Sequence, residues 1–161
     1  MYSREKATRL HLVRHAEVDE AYHEVFGGQI DMELSLVGHE QAKGLAKFLN
    51  GRTFDRIYRS PMVRVRQTAK PLLDALGREA EVIDDLREVD FGVWTGHKWH
   101  EIQEKFGVDA EDWLVHLENG DVAEAEPMVE CRSRIRGSLE QMMDEGAGQD
   151  VLVLCHGGVI R

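Results

Sequence analysis

Residues 151–158 read Val-Leu-Val-Leu-Cys-His-Gly-Gly, and this stretch decides the fold. Its first five residues are apolar, which is typical of a strand buried on both faces of a parallel sheet. The segment 8–15 (TRLHLVRH) similarly predicts a short buried strand that ends at Arg14 and His15. In open sheets of this kind the ligand crevice lies beyond the carboxyl ends of the strands. Both histidine motifs are therefore predicted to face that crevice.

The rest of the chain alternates helical and strand patterns. Helices are predicted from Ser35 to about Leu49, after Ser60-Pro61, and from about Pro127 to Met143, and further strands over 56–59 and 81–83. Pro71 should kink or shorten the second helix, and Gly146 and Gly148 should end the last one. This order predicts an α/β three-layer sandwich with a mostly parallel central sheet. No linker or repeat divides the chain, so a single domain over 1–161 is expected.

Composition narrows the classes of function. The net charge of −10 argues against a general nucleic-acid binder, which needs a basic surface. No apolar stretch is long enough for a membrane helix, and residues 1–10 lack the apolar core of a signal peptide, so a cytoplasmic protein is expected. Two cysteines are too few for a disulfide framework or a zinc cage, and Cys131 and Cys155 are predicted to be small core residues.

Four short motifs carry the residues that phosphate transfer needs. Such chemistry requires a neutral nucleophile, donors for the phosphate oxygens and an acid for the leaving group. Arg14 and His15 end the first strand, Arg64 lies in the first turn of a helix, Glu88 lies in a loop with apolar neighbours, and His156 precedes two glycines. Each motif alone has an ordinary explanation: a surface pair, a helix cap, a solvated carboxylate or a turn. Taken singly, each ordinary explanation is favoured, but Arg14-His15 and His156-Gly157-Gly158 share a placement at strand ends, which is the first functional signal.

The order of these motifs resembles one known family. Arg14-His15-Ala16-Glu17 is similar to the Arg-His-Gly-Glu signature that opens the histidine phosphatase (phosphoglycerate mutase-like) superfamily. Further blocks resemble that family in order, and they are residues 28–31, 34–42, 60–69, 86–96 and 153–161. The block over 86–96 resembles the phosphatase form rather than the mutase form. The resemblance spans almost the whole chain.

The resemblance implies roles for individual residues. His15 would be the nucleophile that becomes phosphorylated, and Glu88 would protonate the leaving group and then activate water. The phosphate pocket would be lined by Arg14, Arg64 and His156, with Gln29 and Gly157 as further substrate contacts. No metal and no cofactor are implied. Family members continue with another helix and an edge strand, so the fold is expected without these two elements, and the apolar flank left open favours a homodimer.

The leading hypothesis is a metal-independent phosphomonoesterase of the acid type that acts on a small phosphorylated metabolite. Phosphoglycerate mutase-type transfer and a non-catalytic phosphate-binding module remain alternatives. Residues 101–126 contain nine acidic residues and one lysine. They form either a solvated helical surface or a cover that disfavours a second phosphate, which would favour a monophosphate with a neutral or cationic remainder. Trp94, Trp99 and Trp113 either pack in the protein or stack on a ring, as an α-ribazole-phosphate-type nucleotide would require.

Overall fold

A computed structural model describes residues 7–161. Its sheet contains four strands, β1 (Arg9–Arg14), β2 (Arg56–Arg59), β3 (Glu81–Val82) and β4 (Asp150–Cys155). The strand order is β1-β4-β2-β3, and every pair is parallel. The predicted α/β class and mostly parallel sheet are confirmed. In the described part of the chain β1 lies at one edge of the sheet.

The strand β4 lies in the interior of the sheet, and its side chains are apolar on both faces. Its four residues from Val151 to Leu154 have no exposed surface. Leu152 and Leu154 pack on one face of the sheet, whereas Val151, Val153 and Cys155 pack on the other. In the register of β1 and β4, Arg14 pairs with Cys155, so the residues that follow each strand, His15 and His156, emerge side by side.

Helices cover both faces of the sheet. They are α1 (Leu36–Phe48), α2 (Val63–Leu76), α3 (Trp99–Phe106), α4 (Trp113–Asn119), α5 (Met128–Glu145) and the short α6 (Gly157–Ile160). Val65 and Leu72 of α2 pack with Leu152 on one face. On the other face Met142 of α5 packs with Val151. Two helical layers around one sheet give the predicted three-layer sandwich.

The predicted helix after Ser60-Pro61 differs from the structure at its start. The helix begins at Val63, with Met62 at the N-cap position, and the first helical N–H, that of Val63, donates to Asp31 at 2.8 Å rather than to Ser60. Pro71 does not shorten α2, which continues to Leu76 before Gly77 ends it at a φ of 60°. A proline removes one backbone N–H from a helix, and the burial of neighbouring α2 residues holds the helix against the core despite this loss.

Other predicted boundaries are confirmed. Ser35 caps α1 by accepting a hydrogen bond of 2.9 Å from the Gly38 N–H, and Gly146 ends α5. Cys131 and Cys155 are buried free thiols, as predicted. The acid-rich segment 101–126 contains most of α3 and all of α4. Within residues 7–161, no helix is both long and apolar enough to cross a membrane.

Candidate active site

His15 lies directly beyond β1, and the backbone fixes its ring. The backbone N–H of His15 donates to the Cys155 carbonyl at 3.0 Å, which anchors the residue to β4. The ring atom Nδ1 lies 2.7 Å from the Ala16 carbonyl oxygen, and a carbonyl can only accept, so Nδ1 carries a proton. Burial, reinforced by Arg64 and Arg14, lowers the pKa of His15 to about 4, although the hydrogen bond to Ala16 opposes the shift. At neutral pH the ring is therefore neutral, with a lone pair on Nε2.

Arg64 is an arginine buried in the first turn of α2, and it is 1% exposed. Its two terminal nitrogens donate to the Ile30 carbonyl at 2.8 Å and the Gly28 carbonyl at 2.9 Å. Its Nε is buried and finds no hydrogen-bond partner among residues 7–161. Burial lowers the pKa of Arg64 to about 10, with Glu88 and Asp31 acting in the opposite direction, so the guanidinium keeps its charge at neutral pH. One N–H of this cation is available to a ligand.

Arg14 lines the same cavity as His15 and Arg64. A methyl group on Gly157 would lie 3.5 Å from the Nε of Arg14, in ordinary contact distance. The glycine backbone thus passes closely beside this guanidinium.

Glu88 holds its carboxyl group against the turn after β4. Oε1 and Oε2 accept from the Gly158 N–H at 3.1 and 3.2 Å, and Oε1 also accepts from the Val89 N–H at 3.0 Å. Burial raises the pKa of Glu88, although these hydrogen bonds and the charges of Arg64 and Arg14 oppose the shift. A methyl group on Gly158 would lie 2.3 Å from Oε1, so any residue other than glycine at this position would displace the carboxyl group.

His156 is fully buried and lies next to the first histidine. The ring centroids of His15 and His156 are 5.4 Å apart, with a tilted arrangement. Nε2 of His156 contacts the Ser60 hydroxyl at 2.8 Å, whereas Nδ1 is buried and has no hydrogen-bond partner in the described part of the chain. Burial, followed by the charge of Arg64, lowers the pKa of His156 to about 2, which keeps the ring neutral.

These groups surround a cavity of about 780 Å³. Among the predicted site residues, Arg14, His15, Arg64, Glu88 and Gly157 line it, whereas His156 is not in the lining and lies beside the His15 ring. Gln29 is not in the lining, because its side-chain amide donates to the Glu88 carbonyl at 3.3 Å. Of the acid-rich segment 101–126, only Trp113 reaches the cavity. The acidic side chains of that segment therefore do not cover the phosphate end.

Sequence reasoning missed several residues that complete the site. Glu17 and Glu24 line the cavity wall, together with Tyr22. Thr68 accepts from the Ala16 N–H at 2.9 Å and donates to the Arg64 carbonyl at 2.7 Å, so it joins the loop after His15 to α2. Single Thr and Glu residues carry no periodic signal, and only the fold brings them here.

The three tryptophans divide between packing and the cavity. Trp94 is buried in an aromatic cluster with Phe26, whereas Trp99 and Trp113 line the cavity. Among residues 7–161, no group of three or more His, Cys, Asp or Glu side chains could hold a metal ion. His97 lies before the start of α3, so it does not share a helical face with His100.

Comparison with known proteins identifies the family. The family model described as histidine phosphatase superfamily (branch 1) matches residues 10–161. The chain belongs to this superfamily. The match includes the Arg14-His15 pair and the His156-Gly157-Gly158 turn, which lie together in the structure.

Relatives within the histidine phosphatase superfamily include phosphatases. Phosphoserine phosphatase 1 of Hydrogenobacter thermophilus is 32% identical over 148 residues, which are 92% of this chain and 70% of that protein. The adenosylcobalamin/alpha-ribazole phosphatase of Escherichia coli is 24% identical over 94% of this chain and 75% of that protein. A phosphoglycerate mutase structure from Bacillus anthracis superposes with a TM-score of 0.83 at 25% identity, covering 97% and 78% of the two chains. The fold is phosphoglycerate mutase-like, and the relatives support phosphatase chemistry.

Proposed function

We propose that the protein hydrolyses a small phosphate monoester through a phosphohistidine on His15. One observation carries this proposal. The lone pair on Nε2 of His15 lies in a cavity that two arginines and a buried carboxyl group share, so nucleophile, anion clamp and acid occupy one site.

In the first step, Nε2 of His15 attacks the phosphorus atom and the bond from phosphorus to the ester oxygen breaks. Arg14 and Arg64 hold the non-bridging oxygens and stabilise the charge of the transition state. Glu88, whose pKa is raised by burial, gives its proton to the departing oxygen. The products of this step are an alcohol, a phosphohistidine and a Glu88 carboxylate.

In the second step, the Glu88 carboxylate takes a proton from water as that water attacks the phosphorus atom. The phosphorus–nitrogen bond breaks, inorganic phosphate leaves, and the lone pair returns to Nε2 of His15. The proton taken from water leaves the Glu88 carboxyl group protonated again, as it was at the start of the cycle.

The test is hydrolysis of para-nitrophenyl phosphate from pH 4 to 8 by the parent chain and by His15→Ala. We expect turnover by the parent, a phosphoenzyme labelled at one histidine after rapid acid quenching, and loss of both in His15→Ala. His11→Ala is the matched control, because His11 lies on β1 and pairs with Asp150 away from the cavity. Equal turnover in the parent and in His15→Ala would refute the phosphohistidine route.

The same samples separate the alternatives. A mutase would need priming by a bisphosphorylated compound and would pass the phosphoryl group to a second hydroxyl rather than to water. A folded chain that binds vanadate but never turns over would be a phosphate-binding module. Since the block over 86–96 resembles the phosphatase form of the family rather than the mutase form, we expect water to be the acceptor.

For the substrate we propose a monophosphate with a neutral or cationic remainder. Apart from Arg14 and Arg64, the cavity lining contains Glu17 and Glu24 but only one further arginine, Arg161, which lies 5.4 Å from the Trp113 ring centroid. Kinetic comparison of phosphoserine, α-ribazole 5′-phosphate and 3-phosphoglycerate tests this. 3-Phosphoglycerate carries an uncompensated carboxylate besides its phosphate. Repulsion by the Glu17 and Glu24 carboxylates in the lining should therefore give it the lowest kcat/KM of the three.

A further inference from the structure

The contact between Ser60 and His156 fixes which ring nitrogen of His156 carries the proton. Both side chains have no exposed surface, and Oγ of Ser60 lies 2.8 Å from Nε2 of His156. A neutral imidazole has one N–H and one lone pair, so this contact exists in two forms. Either the serine donates to Nε2, or Nε2 donates to the serine.

The other partners of Ser60 decide between the two forms. The Met62 N–H donates to Oγ of Ser60 at 3.4 Å, so this oxygen already accepts a hydrogen bond. Within residues 7–161 its hydroxyl proton has one acceptor in reach, which is Nε2 of His156. A buried hydroxyl proton without an acceptor is unfavourable, so Ser60 donates and Nε2 accepts. The single proton of the ring therefore lies on Nδ1.

The lack of a partner at Nδ1 of His156 indicates that a ligand binds there, because nothing in the described part of the chain accepts its proton. Buried polar groups without a partner are rare and occur where function uses them. The ring lies 5.4 Å from the ring of His15, where the phosphoryl group forms and breaks its bond. A phosphoryl oxygen is an acceptor that each catalytic cycle brings to this position.

We infer that Ser60 is a positioning residue that holds His156 as the Nδ1–H tautomer and so makes it a hydrogen-bond donor to the phosphoryl group on His15. This inference rests on the proposed function of the site.

The two neighbouring histidines gain opposite roles from opposite partners. A carbonyl acceptor, that of Ala16, holds the proton on Nδ1 of His15 and leaves a lone pair on Nε2 for attack. A hydroxyl donor, that of Ser60, occupies the lone pair on Nε2 of His156 and leaves an N–H on Nδ1. The low pKa of His156, caused mainly by burial, keeps its ring in this neutral single-proton form. One ring is thus a nucleophile and the other a donor, although both are neutral.

Long-range nitrogen–proton NMR of the nitrogen-15-labelled full chain at pH 7 tests the tautomer directly, because protonated and unprotonated ring nitrogens differ widely in chemical shift. The chain has eight histidines, and the signals lost in His156→Asn assign this ring. We expect a protonated Nδ1 and an unprotonated Nε2, with a shift of Nδ1 when vanadate is added. A protonated Nε2 in the parent would overturn the inference.

Kinetics of Ser60→Ala test the consequence for the reaction. Without the hydroxyl we expect a mixture of tautomers and a fall in kcat on para-nitrophenyl phosphate of up to about 10²-fold, with a smaller change in KM, since the lost donor acts on the transition state. Ser60→Cys, with a weaker donor, should lie between parent and Ser60→Ala. Ser138→Ala removes another buried serine hydroxyl, which contacts Asp85, and should keep the parent's kcat.

The outcomes separate this inference from the proposed function. A Ser60→Ala variant that loses thermal stability but keeps both the kcat and the His156 spectrum of the parent would show a structural role only, and would overturn the inference. A parent with the Nδ1–H tautomer and a vanadate response but no turnover would refute the hydrolase and leave the tautomer assignment standing. Turnover by a parent whose His156 carries its proton on Nε2 would overturn the tautomer assignment and leave the hydrolase standing.

Discussion

Replacing Arg134 with methionine should loosen the loop that carries Glu88 without changing any group in the cavity. Arg134 lies on α5, and its guanidinium binds both carboxylate oxygens of Glu126, at 2.5 and 2.8 Å. It also donates to the carbonyls of Asp85 and Arg87, at 2.5 and 2.9 Å. Methionine keeps the length of the apolar stem but removes every one of these donors.

The expected loss of stability follows from burial of the pair. The Arg134 and Glu126 side chains are only 18% and 15% exposed. Removing one partner of a buried ion pair costs about 3–5 kcal/mol, and the remaining exposure places this pair at the low end, about 3 kcal/mol. For a protein of this size 1 kcal/mol shifts Tm by about 2–4 °C, so Tm should fall by about 6–12 °C. The kcat should fall by about tenfold, because the Glu88 loop loses its fixed position.

Calorimetry and para-nitrophenyl phosphate kinetics measure the two effects. Arg132→Met is the matched control, because Arg132 lies on the same helix but pairs with Glu118 on the exposed surface. That change should cost less than about 1 kcal/mol and leave kcat intact. Combining Arg134→Met with Glu126→Gln should restore part of the stability, since no buried charge is then left unpaired. Equal stability losses for Arg134→Met and Arg132→Met would refute this reasoning.

Three further outcomes are expected. The kcat/KM should rise as pH increases through about 4, where His15 becomes neutral, and fall at higher pH where Glu88 loses its proton, giving a bell-shaped profile in steady-state assays. Gly158→Ala should lower kcat, because its methyl group would meet the Glu88 carboxyl group at 2.3 Å and displace it. Gly44→Ala, with open space around its methyl group, should leave kcat unchanged, and a normal kcat for Gly158→Ala would contradict the close approach. Because the pKa of His15 in the folded state lies below its ordinary value of 6.5, the unfolded chain binds this proton first as the pH falls. The contribution to stability is therefore complete above pH 6.5 and is lost as pH falls towards 4, so Tm measured over this range should drop less steeply in His15→Asn than in the parent.

The strands and the three longest helices, α1, α2 and α5, could be predicted because their signals are local. The apolar run of β4 and the Ser35 cap of α1 each specify an element from a few neighbouring residues. The start of α2 could not be placed, because the N–H of its first residue, Val63, is bound by Asp31, 32 residues away. Tertiary contacts settle such choices, and a local pattern does not contain them.

The centre of the site could be predicted and its supporting shell could not. His15 and His156 follow β1 and β4, which are neighbours in a parallel sheet of this order, so the strand ends alone predicted that they lie together. Gln29 has the right place in the family pattern, yet its amide donates to the Glu88 carbonyl outside the cavity. Arg134 is one of several arginines on α5, and nothing in the helical period distinguishes it from Arg132. The difference arises only from the loop that packs above it.

The pairing of β1 with β4 also sets when the protein can begin to work during its own synthesis. His11 and Asp150, which contact each other across this pair, are 139 residues apart in sequence. A ribosome releases β1 early, but β4, which aligns His15, emerges only after all the other strands of the described sheet have been translated. In a nascent chain the candidate site therefore stays unassembled until β4 inserts between β1 and β2.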